Sequence, residues 1–318
     1  MRIYIIRRLL LLVPTLFLVT LIVFLLARLI PGSAVDMMLA QQPGTADPLS
    51  RSQLEHALGL DVPIHVQYVR WLGNIIMHGD LGDSLWTRLP VAPNIIHRFP
   101  KSFELGLIGV IVGLLISLPV GIYSAIRQDT AGDYIGRALA IACIALPSFW
   151  LGTVAMVFPS IWWRWSPPIT YVSFFENPGQ NLQMFIIPGI ILGMGLSGIT
   201  MRMTRTMMLE VLRQDYIRTA WSKGLTERTV VLRHAMKNAL IPIVTIVGLQ
   251  LPFLIGGSIV LESIFQIPGI GRLTVDVVNS RDYPILQGIN LLMAVMVLLI
   301  NLGVDLTYAY LDPRVHYE

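Results

Sequence analysis

The stretch DYIRTAWSKGLTERTVVLRHAMKNALIP, Asp215 to Pro242, is a basic, polar island between two strongly apolar segments. Tyr216, Ile217, Ala220 and Trp221 recur at helical spacing and predict an apolar stripe, with Arg218, Ser222 and Lys223 off it. Asp215 is placed to cap that helix by accepting a backbone N–H two or three residues on. Gly224 is placed to end it in a left-handed conformation. Thr226 is placed to cap a second helix carrying Arg228 to Lys237, and Leu240-Ile241-Pro242 leads back into apolar sequence. A short helix, a glycine break and a second helix make a compact knob that suits a groove on a soluble partner. The plainer alternative is a polar loop with snorkelling bases.

Working outward, the chain of 318 residues is 54% hydrophobic and 13% charged, with mean hydropathy +0.68. A soluble domain carries about 25% charge, so the bilayer is the main solvent. The expected class is an all-α membrane protein, because helices satisfy their own backbone in lipid. Six segments are apolar enough to span: Leu9–Ile30, Phe103–Ile126, Ile135–Ile161, Met184–Met203, Leu240–Ile264 and Ile285–Tyr308. Arg2, Arg7 and Arg8 precede the first; it reads as a retained span, a cleaved signal peptide being the alternative. Arg127 and Arg137 mark the second loop. Arg202, Arg205, Arg213, Arg218, Lys223, Arg228, Arg233 and Lys237 mark the fourth, against Glu210, Asp215 and Glu227. The third and fifth loops balance Arg164 against Glu176, and Arg272 and Arg281 against Asp276 and Asp282. The excess of Lys and Arg puts both termini and loops two and four in the cytoplasm.

The first loop, 31–101, then lies outside. Val66, Val69, Leu72, Ile75 and Ile76 predict a helix there, and Tyr68, Trp71 and Trp86 suit a membrane interface. That helix either caps the bundle or offers a face to an external partner. The second span carries Gly109, Gly113, Ser117 and Gly121 at four-residue spacing; the fourth carries Gly189, Gly193 and Ser197, with Gly195 and Gly198 nearby. Such stripes bring helix backbones close; a moving gate helix is the alternative. Arg28, Glu104, Glu262 and Asp305 stand near span ends, and no acid stands mid-span, which counts against an ion-driven carrier. The sequence has no G-x-x-x-x-G-K-[ST], no H-E-x-x-H and no G-x-S-x-G. Cys143 is the single cysteine, and His56, His65, His78, His97, His234 and His316 are scattered in loops, so no metal ligand set is expected. No enzymatic activity, cofactor or nucleic-acid partner is expected of this chain.

Asp215, Tyr216, Ile217, Arg218, Thr219, Ala220, Lys223, Gly224 and Leu225 match the pattern D-Y-[IV]-R-T-A-x-x-K-G-L. This resembles the EAA loop of ATP-binding-cassette importer permeases, most closely the B-type subunit of dipeptide and oligopeptide importers. Trp221-Ser222 departs from the commoner Arg-Ala, and Met236-Lys237 stands where the general pattern closes on Leu-Pro. RRLLLLVPTLFLVTLIVFLLARLIPG, GLDVPIHVQYVRWLG, GDLGDS, LESIFQIPGIGRL, RDYPILQG and YAYLDPRV extend the likeness over nearly the whole chain.

The resemblance implies a type I importer permease fold. Its divisions are a first region and span, 1–30; an outer loop region, 31–101; a core of five spans, 102–308, with the loop 202–238; and a tail, 309–318. It implies a homologous C-type permease subunit, two cytoplasmic ATPases that bind ATP and Mg, and an extracytoplasmic solute-binding protein. The chain is then a multi-pass protein of a bacterial or archaeal cytoplasmic (inner) membrane. Residues Asp215 to Leu225 become the ATPase-coupling element, with Trp221 and Ile217 as anchors and Arg218, Lys223 and Arg228 at the rim. Outer surfaces at Pro31–Lys101 and Ser263–Pro284 face the binding protein. Met194, Ser197 and Gln250 are candidates for the translocation path. Nickel, glutathione or a glycan are alternative cargoes; a secondary transporter and a non-transporting scaffold are alternative classes.

Overall fold

A computed structural model describes residues 2–29, 35, 39, 48–57, 59–255 and 259–311. The described residues are mostly helical, and among them the single β feature is an isolated bridge between Asp83 and Pro90. The helices are α1 (Arg2–Leu29), α2 (Pro48–Ala57), α3 (Ile64–His78), α4 (Val91–Ile126), α5 (Ala131–Ala145), α6 (Ser148–Trp163) and α7 (Pro178–Leu212). They continue with α8 (Asp215–Ser222), α9 (Glu227–Thr229), a π-helical turn (Val230–Ala235), α10 (Met236–Ile255), α11 (Ile259–Ile264), α12 (Ile270–Ser280) and α13 (Tyr283–Leu311).

Four stretches are long and apolar enough to cross a membrane: Val91–Ile126, Pro178–Leu212, Glu227–Ile264 and Tyr283–Thr307. A fifth arises if α5 and α6 count as one span, and α1 adds the shorter apolar run Leu10–Leu26. Ile30, most of the segment 31–47, and the residues 312–318 of the tail lie outside the described residues. The expected third span, Ile135–Ile161, is not one helix. The chain bends by 90° between α5 and α6. Pro147 lacks an N–H and disfavours helical backbone at the residue before it. Leu146 accordingly leaves the helix at φ −80°, ψ 119°.

The described residues form two compact units, one of 101–268 and 299–311, the other of 2–100 and 269–298. In the first unit α7 is central and packs against α5 and α10. Asn177 accepts from the Gln180 N–H at 3.1 Å to start it, with Pro178 in the first position, where a missing N–H costs nothing. The two small-residue stripes meet each other. A Cβ on Gly193 would lie 2.7 Å from the Gly109 carbonyl, and one on Gly113 would lie 3.0 Å from the Gly193 carbonyl. The glycines therefore pack α4 on α7, backbone to backbone.

In the second unit Tyr68 of α3 packs edge-on to Phe24 of α1 and shares a 2.9 Å hydrogen bond with Thr20. A separate core joins Val91, Ile95, Ile270, Leu273, Val277, Ile285, Leu286 and Ile289. Two of the motif stretches lock together beside it: buried Asp282 accepts from the Ser84 hydroxyl at 2.5 Å and from the Leu85 N–H at 3.2 Å. The Trp86 indole donates to the Ser280 carbonyl at 2.7 Å.

A candidate docking site on the polar loop

The knob expected at Asp215 forms, with its caps arranged differently. Gln214, not Asp215, occupies the N-cap position, and no side chain caps the helix there. Asp215 stands in the first turn, where its charge suits the helix dipole, and accepts from exposed Arg218 at 3.4 Å. At the other end Gly224 takes φ +76°, as expected. Its N–H reaches the Trp221 carbonyl at 2.9 Å and the Leu225 N–H reaches the Ala220 carbonyl at 3.4 Å, a Schellman closure. Thr226 does precede α9, but its hydroxyl pairs with that of Thr229 at 2.9 Å and caps no backbone N–H.

The stripe on α8 divides into two parts. Ile217 has 0% of its surface exposed and Ala220 is buried with it. They sit in a cluster with Ala125 of α4, Met208 of α7, Val230, Val231 and Ala235 of the π-helical turn, and Ala239 of α10. Leu225 packs at its edge. Ile217 is thus an anchor within this chain, and its side chain is not available to a partner. The reason is the sharp return of the chain at Gly224, which folds the next helix back under α8. Trp221 is 45% exposed and Tyr216 43%. The Tyr216 oxygen accepts from Asn238 at 2.7 Å, which holds the ring at the surface. Arg218, Thr219, Ser222 and Lys223 are exposed around them. An open groove of about 530 Å³ is lined by Ile122, Ile126, Thr226, Glu227, Arg228, Val231 and Leu232. Arg127 bonds Glu227 at 3.4 Å across its rim.

This arrangement offers a helix pinned along one stripe, with half-exposed Tyr216 and Trp221 on the two flanks of that stripe and Arg218 and Lys223 on the free face between them. It has the composition of a protein-docking surface, where aromatic groups carry most of the energy. A π-helical turn directly beneath it is a local distortion of the kind that occurs most often at functional sites. Each of the two polar path candidates bonds within its own helix. Buried Ser197 donates to the Met194 carbonyl of its own helix at 2.8 Å, and Gln250 to the Ile246 carbonyl at 3.4 Å. Met194 is half-buried.

Asp133 is a residue that sequence reasoning misses. It is fully buried in the first turn of α5 and held by Arg205, which by sequence counts only as loop charge. Its sole signal in the sequence is an acid directly before an apolar run. Among the described residues no three His, Cys, Asp or Glu side chains stand close enough to share a metal ion.

The chain matches the family described as binding-protein-dependent transport system inner membrane component over residues 117–317. It matches the N-terminal component of the same description over 1–106. It is 38% identical to the dipeptide transport system permease protein DppB of Escherichia coli K12, across 99% of both chains. It is also 38% identical to the glutathione transport system permease protein GsiC of Salmonella paratyphi A, again across 99% of both. Among solved structures it resembles the inward-facing MetNI methionine ABC transporter, with TM-score 0.55 and 16% identity over 69% of this chain and 96% of that one. That likeness concerns the fold.

Proposed function

The chain belongs to the family of binding-protein-dependent transport system inner membrane components, and from this we propose that it is the B-type permease subunit of an ATP-driven importer for dipeptides and oligopeptides. Two names support the cargo class, since the permeases it matches end to end serve dipeptide and glutathione transport. Glutathione is itself a small peptide, so both fit one wide path that leaves selectivity to a binding protein.

Six spans with both termini in the cytoplasm, in a bacterial or archaeal inner membrane, complete the reading. α1 is the first span and the bent pair α5–α6 the third. The energy comes from partners: two ATPases binding ATP and Mg below, a C-type permease alongside, and a solute-binding protein above. The polar loop is then cytoplasmic. Tyr216 and Trp221 enter a cleft on one ATPase, Asp215, Arg218, Thr219 and Lys223 orient them at its rim, and Ile217, Ala220, Gly224 and Leu225 hold the helix in position. Closure of the ATPases on ATP biases the spans between two states. Met194, Ser197 and Gln250 remain candidates near the path.

The observation that carries this is a helix that Ile217 pins to the permease core while Tyr216 and Trp221 stay half-exposed along its two edges. The test is a cysteine cross-link from Lys223→Cys in the assembled complex, in a Cys143→Ser background. The expected product joins this chain to an ATPase subunit; a link only to the permease partner or to lipid contradicts the assignment.

A further inference from the structure

Beside the seat of α8, the first unit holds a buried carboxylate whose partners come from three helices. Asp133 of α5 is 0% exposed. Arg205 of α7 grips both of its oxygens, Nε to Oδ1 at 2.9 Å and a terminal nitrogen to Oδ2 at 2.8 Å. Ser124 of α4 donates to Oδ1 at 2.7 Å, and the Asp129 N–H donates to Oδ2 at 3.1 Å. Arg137, stacked on the Tyr134 ring, stands 3.5 Å from Oδ1. A paired fork of this kind fixes angle as well as distance, because the guanidinium is planar and the carboxylate matches it.

The helices that supply the fork also seat α8. Ala125 follows Ser124, and Met208 lies about one turn beyond Arg205; both belong to the cluster that closes over Ile217. A displacement of α8 therefore reaches Ser124 and Arg205 along two continuous helices, and reaches α5 through Asp133. α5 also touches α7 at Gly198, where a Cβ would lie 2.6 Å from the Ala140 carbonyl, so the two helices have little freedom to slide. Beyond α5 the chain turns 90° into α6.

We propose that Asp133 and Arg205 form a clasp that makes α8 and α5 move as one body, carrying the ATPase stroke into the bent helix pair α5–α6. The proposal rests on α8 being the ATPase-contacting helix. Both side chains are positioning residues, since they act through helices and touch no substrate.

The test uses the whole complex in nanodiscs with its ATPases, partner permease, binding protein and a mixed peptide library. Arg205→Lys keeps the charge and loses the fork. It is expected to retain assembly and basal ATP hydrolysis while peptide transported per ATP falls about tenfold, within the range of a typical coupling energy. A spin-label pair at Ser222→Cys and Ile135→Cys, both exposed, in a Cys143→Ser background, is expected to keep one distance with and without ATP in the parent and two in the variant. Should Arg205→Lys fail to assemble, Ser124→Ala removes one hydrogen bond and no charge, with a fall of about fivefold expected. A variant that transports at the parent's ratio, or a parent distance that changes with ATP, overturns the clasp. Trp221→Ala run in parallel separates the two readings: normal coupling there removes the role of α8, whereas uncoupling there beside normal coupling in Arg205→Lys removes the clasp alone.

Discussion

Ile217 and Trp221 stand one helical turn apart, yet one is sealed inside and the other is half in solvent. Their substitutions should therefore have opposite consequences. Ile217→Ala is expected to cost about 2–5 kcal/mol, as for a large-to-small change in a packed core, and to lower the thermal midpoint of the purified complex. Trp221→Ala is expected to leave that midpoint in place and abolish stimulation of ATP hydrolysis by loaded binding protein; unchanged stimulation would remove it from the docking face. Gly224→Ala places a Cβ at φ +76°, at a cost of roughly 1–2 kcal/mol. Amides at the end of α8 should then exchange hydrogen faster than in the parent, and equal exchange would show that the turn tolerates a side chain. Gly224 was legible in the sequence because a helix stop with this chemistry favours glycine. The N-cap was not, because propensity locates a cap only to within a residue and Gln214 took the place of Asp215. Nor was the burial of Ile217, which depends on Ala125 and Met208 arriving from distant parts of the chain.

Among the elements, the α4–α7 contact was written most openly in the sequence. Small residues four apart on both segments imply a close backbone approach, and the glycine stripes do meet. Gly193→Ala must displace the Gly109 carbonyl or the neighbouring Val112. It is expected to destabilise by about 1–3 kcal/mol, as overpacking does. At Gly195, two residues on, a Cβ would meet nothing within 4 Å, and Gly195→Ala should stay within about 0.5 kcal/mol of the parent. Equal melting of the two variants would contradict the packing described. The bend at Leu146–Pro147 had a signal in Pro147, but a hydropathy span runs straight through a proline, and so one helix was expected over Ile135–Ile161. The pairing of Asp133 with Arg205 left almost none: the two lie far apart along the chain, and periodicity within one segment carries no information about its partner in another.

For the whole molecule, the bilayer as solvent and the helical class follow from composition alone, whereas partners enter through the loop at Asp215 to Leu225 and through family membership. No hydropathy pattern distinguishes a permease that borrows its energy from a carrier that uses a gradient. The discriminating feature is local: a pinned helix with Tyr216 and Trp221 exposed along the two edges of its free face. The central claim is that this face couples the spans to ATP hydrolysis by partner subunits during peptide import. Its most direct test is ATP hydrolysis by the co-purified complex in nanodiscs, with and without the solute-binding protein and a mixed peptide library. The account predicts hydrolysis that rises when binding protein and peptide are both present. A complex that recruits no ATPase, or whose hydrolysis ignores both additions, would contradict it.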